Sequence, residues 1–438
     1  MQQESQTAAD MEPVPQKQGQ TEAVTRRTFL QKTSVVAGGL LAIPPTADAL
    51  TKKETKMKKF AIHIPEPELD GLRKRIISTR WPDNPEGESW RYGTNRTYLQ
   101  ELSHYWAKDF DWRKQEALLN KFQQYKVQID DCLVHFIHEK GKGPNPLPIV
   151  ISHGWPSSFM EMYKIIPMLT DPAHHGGHAD DSFDVIVPSL PGFGFSSPRR
   201  QGHMRAHELW AKLMTEILGY SKFIAQGGDV GAGVTSLLGR FYPKKLFGIH
   251  ISGVDLLFPA SLPDPSQLSE AERKYISSLG TWEKEENGYG HIQGTRPQTL
   301  AYGLNDSPVG LAAWIIEKFH NWSDCHGNIE TRFSKDDLLT NITIYWVTQT
   351  INSSMRHYFY SQNRVNAPPP LRNGERIDVP TGVAMFPGER DLIVPREFAQ
   401  RVYNIAHWTD MPSGGHFAAL EEPELLVDDI RTFAKLFR

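Results

Sequence analysis

A chain of 438 residues with 39% hydrophobic content is long enough to bury a substantial core and too apolar to be disordered as a whole. With 48 basic residues against 51 acidic ones the net charge is -3, which excludes a general electrostatic pull toward nucleic acid or anionic lipid, so a neutral partner is expected. The two cysteines, Cys132 and Cys325, lie far apart and lack the spacing of a zinc site, which favours two separate thiols and gives no expectation of a bound metal.

Residues 1–24 are rich in Gln, Glu and Pro and read as a disordered leader. Thr25-Arg26-Arg27-Thr28-Phe29-Leu30 follows, then an apolar run from Val35 to Ile43, then the small-x-small triplet Ala47-Asp48-Ala49. That order resembles a twin-arginine export signal and predicts cleavage near Ala49, with the product periplasmic or secreted. The apolar run falls short of the roughly 20 residues a membrane span needs, so no stable anchor is expected.

From residue 50 to about 126 the sequence reads as helices and turns rich in Trp and Tyr. Aromatics at irregular spacing fill a surface against a neighbour, so this stretch is expected to be an extension packed on the next domain. From Val127 the rhythm changes to short β-rich runs alternating with helical segments. Leu133–Ile137, Pro148–Ile151, Phe183–Val187, Phe223–Ala225 and Phe247–Ile251 read as strands buried on both faces. Such alternation implies βαβ units and a mostly parallel sheet, hence an α/β fold. Between about Leu256 and Pro370 the pattern lapses into helical, aromatic sequence, expected to form a cap over the sheet's carboxyl edge. Strands resume at Val379–Met385, and the last helix, from Pro423, sets Leu426, Ile430 and Phe433 on one docking face. The expected divisions are therefore 50–126, 127–255, 256–370 and 371–438.

The sharpest motif is Gly227-Gly228-Asp229-Val230-Gly231, between the strand ending at Ala225 and a helical run. Small residues two before and two after a nucleophile permit a tight strand-to-helix turn that lifts its side chain above the sheet. Here the lifted residue is Asp. At the end of the preceding strand, His153-Gly154-Trp155-Pro156 can turn the backbone N–H of Trp155 toward the same point, where it would pair with that of Val230 as an oxyanion hole. Gly414-Gly415-His416-Phe417 puts a histidine on a flexible loop after the last strand. The chain order nucleophile, acid, histidine is that of an α/β-hydrolase. Two carboxylates compete for the acid position in Gly388-Glu389-Arg390-Asp391. Asp391 is favoured on its spacing to Pro395, with Glu389 as the alternative.

Several motifs together resemble the microsomal epoxide hydrolase family over nearly the whole mature chain. They are Arg80-Trp81-Pro82, Phe110-Asp111-Trp112-Arg113, His153-Gly154-Trp155-Pro156, Leu304-Asn305-Asp306-Ser307-Pro308-Val309-Gly310-Leu311 and Gly414-Gly415-His416-Phe417-Ala418-Ala419. The resemblance implies an aspartate nucleophile matching Asp229 and a histidine base matching His416. It also implies two proton-donating cap tyrosines, matching Tyr289 and Tyr358, which on their own read as core aromatics. Mammalian members carry the acid as Glu directly after Phe-Pro-x, which selects Glu389, yet the loop to Pro395 is one residue longer here and leaves the choice open.

The expected activity is the opening of a small apolar epoxide by water, with no metal or organic cofactor. A carboxylate suits this because it attacks a strained carbon well and an ester carbonyl poorly. A haloalkane dehalogenase shares the Asp nucleophile, but the enzymes it resembles carry Trp where Val230 stands. A secreted ligand-binding protein on a disused hydrolase scaffold is the reading from another class, and the full set of reactive groups argues against it.

Overall fold

Parallel strands covered by helices on both faces have no solvent side to alternate toward, so they read as continuous apolar runs. Phe183–Pro188, buried at every position, is such a strand. The computed structural model describes residues 57–84, 89–200, 202–253, 264–372 and 374–438. The expected leader and export signal, and the start of the cap at Leu256, lie outside the described residues.

One sheet contains β1 (Lys58–Phe60), β2 (Gln124–Ile129), β3 (Cys132–Glu139), β4 (Leu147–Ser152), β5 (Phe183–Pro188), β6 (Phe223–Gly228), β7 (Leu246–Ser252), β8 (Ile377–Met385) and β9 (Tyr403–Asp410). Their order is β1-β2-β3-β5-β4-β6-β7-β8-β9. The pairs from β5 across to β9 are parallel. Those joining β1, β2, β3 and β5 are antiparallel. The chain leaves β4 toward β5 on one side and reaches β6 on the other, so strand order reverses there. A crevice opens at such a switch point beyond the carboxyl ends of the strands.

The aromatic extension contains the helices Glu66–Ile77, Arg96–Lys108 and Trp112–Leu119, in line with its sequence. It also holds a strand that the sequence did not announce. Lys58-Lys59-Phe60 is too charged to resemble a core strand, yet it pairs with β2 as the sheet's edge, where lysines discourage further pairing.

Between β7 and β8 the described residues form six helices of eight residues or more: Glu270–Glu285, Gly288–Thr295, Pro297–Leu304, Pro308–Asn321, Lys335–Thr348 and Ile351–Gln362. Ser269 with Glu272, and Ser334 with Asp337, form reciprocal capping boxes that start two of them. This insertion grips the core directly. Asn341 Nδ2 donates to the Pro156 carbonyl and Tyr345 OH to the Ser157 carbonyl, both at 2.8 Å. Among the described residues no helix is long and apolar enough to cross a membrane. Cys132 and Cys325 are both buried free thiols.

The last helix, Pro423–Ala434, buries Leu426, Ile430 and Phe433 as its spacing predicts. It also brings Asp429 into the core, where the carboxylate accepts from His250 Nε2 at 2.8 Å, His407 Nε2 at 2.7 Å and Thr409 Oγ1 at 2.5 Å. Burial alone would raise this carboxyl, but the histidine and threonine donors outweigh it and hold the group at about 2, against an ordinary 3.8. A depressed acid stabilises the fold above its ordinary value and loses that effect as pH falls through the lowered one. Replacing Asp429 by Asn should therefore cost about 2 kcal/mol at neutral pH. Denaturant unfolding at stepped pH should show the deficit shrinking below pH 3.8 and gone beneath about pH 2.

Candidate active site

Strands β4 and β6 run side by side with Ser152 opposite Gly227, so the two loops that leave them begin next to each other. From β6 the chain turns into the helix Val230–Phe241 through Asp229, which has φ 49° and ψ -129°. A side chain held in that region costs about 1–3 kcal/mol and persists only where the surroundings enforce it. The flanking glycines explain the enforcement. A Cβ on Gly227 would lie 2.4 Å from the Gly231 carbonyl oxygen, and one on Gly231 would lie 2.1 Å from that of Ser152. The elbow closes because both are missing.

The loop from β4 approaches from the other side. Trp155 N–H donates to Asp229 Oδ1 at 2.7 Å, and the Val230 N–H donates to the same carboxylate. Both backbone groups named from the sequence thus converge on one carboxylate. Gly154 permits it, since a Cβ there would sit 2.3 Å from Asp229 Oδ1. His153 serves the backbone: its Nδ1 meets the Gly154 carbonyl at 3.0 Å, and its Nε2 accepts from Leu190 N–H at 3.1 Å. Burial pushes this imidazole down to about 4, so it stays neutral.

Strands β8 and β9, adjacent and parallel, end in the loops that carry the other two members. His416 Nε2 lies 3.6 Å from Asp229 Oδ2, and His416 Nδ1 lies 3.1 Å from Glu389 Oε1. Of the two carboxylates named from the sequence, it is the alternative, Glu389, that meets His416, and the side chain of the favoured Asp391 lies outside the described ones. The imidazole offers one nitrogen away from Asp229, and Glu389 occupies it. The β8 strand ends at Met385 and Pro387–Leu392 winds as a short 3-10 turn, which carries Glu389 to the histidine loop. Proline spacing along the chain does not carry that information.

Burial works against charge here, and the neighbours decide the outcome. Burial lifts the Asp229 carboxyl above its usual range, opposed by His416 and by the Val230 and Trp155 N–H groups. Burial would push His416 down, yet Glu389, with Asp229 and Glu161, holds it up at about 9. At neutral pH His416 therefore rests as an imidazolium, facing the Asp229 carboxyl group.

Tyr289 and Tyr358 form the wall opposite. Tyr289 stacks on Trp155 with ring centroids 5.2 Å apart and planes 4° apart, and Tyr358 meets both edge-on at 5.7 Å. Burial raises the Tyr358 phenol well above the ordinary range, with Tyr289 and Asp229 adding to the rise, so it keeps its proton. Trp322 extends the wall by meeting Tyr289 and His416 edge-on, each at 5.0 Å.

Several residues at the site went unmarked in the sequence. Glu161, in Ser157-Ser158-Phe159-Met160-Glu161-Met162-Tyr163, is a buried carboxyl, and the only available signal was a lone charge between two methionines. Burial pushes it up to about 7, against a hydrogen bond from Ser157 and the charge of His416, while Asp229 adds to the rise. The insertion also holds the histidine loop. The Trp322 carbonyl accepts from His416 N–H at 2.9 Å, and Asp324 Oδ2 accepts from Gly414 N–H at 3.0 Å and from Arg332 at 2.9 Å. Glu421 closes this clasp by accepting from Asp324 N–H at 2.8 Å and Phe417 N–H at 2.9 Å. No short motif signals the contacts that close it, because Asp324–Gly414 and Asp324–Glu421 join residues 90 and 97 apart.

A mostly parallel sheet, a strained acid at its elbow and a histidine–carboxylate pair at the ends of neighbouring strands define an α/β-hydrolase with an aspartate at the nucleophile position. Residues 57–162 match the epoxide hydrolase N terminus family and residues 148–286 the alpha/beta hydrolase fold family. Epoxide hydrolase 1 of Oryctolagus cuniculus is 37% identical over 88% of this chain and 90% of its own. The crystal structure of juvenile hormone epoxide hydrolase from Bombyx mori superposes with a TM-score of 0.74 at 31% identity, covering 88% of this chain and 95% of that one. The Aspergillus niger epoxide hydrolase superposes at 0.75 and 28% identity, covering 87% and 97%. The chain belongs to the epoxide hydrolase family.

Removing the charge that orients the histidine should lower turnover on the order of 10²- to 10⁴-fold. Glu389→Gln is expected to show that loss in steady-state kinetics, whereas Asp391→Asn should stay within about twofold of the parent, since His416 Nδ1 already has its partner.

Proposed function

We propose that this protein converts small apolar epoxides to vicinal diols through a covalent ester on Asp229. The observation that carries the reading is the surroundings of that carboxylate. It takes 2.7 Å from the Trp155 N–H, faces His416 Nε2 at 3.6 Å, and lies close enough to Tyr358 for its charge to be felt there. The wall of Trp155, Tyr289, Trp322 and Tyr358 favours an apolar substrate.

In the first half-reaction an Asp229 oxygen attacks one epoxide carbon, the carbon–oxygen bond breaks, and the departing oxygen takes a proton from Tyr289 or Tyr358. Water then attacks the ester carbonyl and gives a proton to His416, which Glu389 orients. The Trp155 and Val230 N–H groups hold the oxyanion. Collapse breaks the acyl–oxygen bond and the carboxyl proton passes to the leaving alkoxide; because His416 gave its resting proton to the tyrosinate after ring opening, the proton from water restores it to the imidazolium it began as. Epoxide plus water has become diol, and Asp229 has exchanged one oxygen.

An imidazolium held at about 9 is no base at neutral pH. The chemistry itself removes the difficulty. Esterification abolishes the negative charge of Asp229, which is one of the groups holding His416 up, so the imidazole becomes a competent base once there is an ester to hydrolyse. We infer also that the Arg26-Arg27 segment directs export, on its motif order alone.

A single turnover in heavy-oxygen water should put label into the peptide that contains Asp229, and His416→Gln should accumulate enzyme heavier by one substrate mass. An unlabelled peptide, read by mass spectrometry after digestion, would exclude the ester. For export, the amino terminus of protein recovered outside the cytoplasm should lie near Leu50, and Arg26→Lys with Arg27→Lys should abolish its appearance there.

A further inference from the structure

The helix Pro308–Asn321 buries an ammonium group behind the aromatic wall. Lysine is almost never buried unless a partner holds it, and Lys318 is held from two sides. Its Nζ lies 4.7 Å from the centroid of the Tyr289 ring and 5.4 Å from that of Trp322, within reach of a cation–π contact. Glu317 Oε2 lies 2.5 Å from the same Nζ, and Glu317 Oε1 accepts from Asn321 Nδ2 at 2.7 Å. The Lys318 side chain is 6% exposed against 19% for Glu317. Water therefore screens the carboxylate more than the ammonium, which leaves the field over the Tyr289 ring positive.

The helix that carries this charge is fixed at its far end. Phe319 stacks on Phe417 of the histidine loop with centroids 3.9 Å apart and planes 3° apart, and the Trp322 carbonyl accepts from His416 N–H. Around the Tyr289 ring, Trp155 from the oxyanion loop, Trp282 from the helix Glu270–Glu285 and Trp322 are uncharged. Tyr358, from the helix Ile351–Gln362, is the other titratable group that faces it. His416 and Asp229 stand one residue further off, the first against the Trp322 ring and the second on the Trp155 N–H. Among the described residues Lys318 is the cation over Tyr289.

Ring opening moves a negative charge. As an Asp229 oxygen bonds to the epoxide carbon and the carbon–oxygen bond breaks, the departing oxygen takes a phenolic proton, so the charge that leaves Asp229 arrives on a tyrosine. It stays there until His416 supplies a proton. A phenolate spreads its charge into the ring, so an ammonium over that ring favours the ionised state over the neutral one and lowers the barrier to reaching it. We propose that Tyr289 is the tyrosine that gives up its proton, and that Lys318 is a positioning residue acting through it, a fixed positive charge over the ring that ionises. The proposal rests on the two-step reading given above. Burial, which holds the Tyr358 phenol well above the ordinary range, is in keeping with that division of labour. A structural role, packing of Lys318 against the wall, would be indifferent to the Tyr289 hydroxyl, because Tyr289→Phe keeps the ring.

Rapid quench separates the half-reactions, with the ester on the Asp229 peptide measured by mass spectrometry. In Lys318→Met, alkylation should fall about tenfold while hydrolysis stays within about threefold of the parent. Lys318→Arg, which keeps the charge, should recover alkylation to within about threefold. In a Tyr289→Phe background Lys318→Met should slow alkylation less than about threefold further, whereas in a Tyr358→Phe background its full effect should remain. Ultraviolet difference titration should show the tyrosinate that Tyr289→Phe removes appearing at higher pH in Lys318→Met than in the parent, since a charge that favours the anion is gone. Equal effects of Lys318→Met in both backgrounds, parallel loss of both half-reactions, unaltered alkylation or an unmoved titration overturns the proposal. If Lys318→Met does not fold, the single variants decide: Tyr289→Phe must slow alkylation more than Tyr358→Phe, and the reverse order overturns it. A parent enzyme that forms no ester would defeat the two-step reading itself, whereas an ester in the parent with any of these failures would defeat this inference alone.

Discussion

The 2.7 Å hydrogen bond from the Trp155 N–H to Asp229 Oδ1 is the contact on which the rest of the site depends. It requires the loops leaving β4 and β6 to touch, with no side chain between them. Gly154 clears the space on one loop, and Gly231 lets the nucleophile helix start directly against the Ser152 carbonyl. Adjacent parallel strands supply the register, and the strained backbone of Asp229 aims the carboxylate. An ångström of added separation would break that hydrogen bond, and misplacement on that scale at a reacting centre is enough to cost orders of magnitude in rate.

Around that contact the protein gathers Asp229, Glu389, Glu161 and Glu421 near a single imidazole. So many acids near one base would be a liability in a static structure. The arrangement makes sense for a cycle in which one of them loses its charge to a covalent bond and regains it on hydrolysis. On the proposed cycle, the raised His416 belongs to the resting enzyme and the base to the ester.

The helical insertion is part of this machinery. Through the Trp322 carbonyl and the Asp324 carboxylate it holds the backbone of the histidine loop, and through Asn341 and Tyr345 it holds the oxyanion loop. It also contributes Tyr289 and Tyr358 to the wall. The insertion therefore touches both the aromatic wall and the histidine loop, so a change that shifts it reaches His416 too.

The apolar runs, the glycine spacing around Asp229 and the Gly-Gly-His loop were legible because strand burial and turn chemistry are written within windows of a few residues. The strands from Cys132–Glu139 to Ile377–Met385, the elbow, Trp155, Val230 and His416 all follow from such local rules. Family resemblance was needed to lift Tyr289 and Tyr358 out of the ordinary aromatic core. Glu389 over Asp391, the burial of Glu161, the clasp at Asp324 and the edge strand Lys58–Phe60 were not available to any local rule. Each depends on which distant segment arrives beside it: Glu389 is 27 residues from His416, and Asp324 is 90 from Gly414. The local alphabet names the reactive groups, whereas their pairing and their charge are set by neighbours and by exclusion of water, which exist only once the chain has packed.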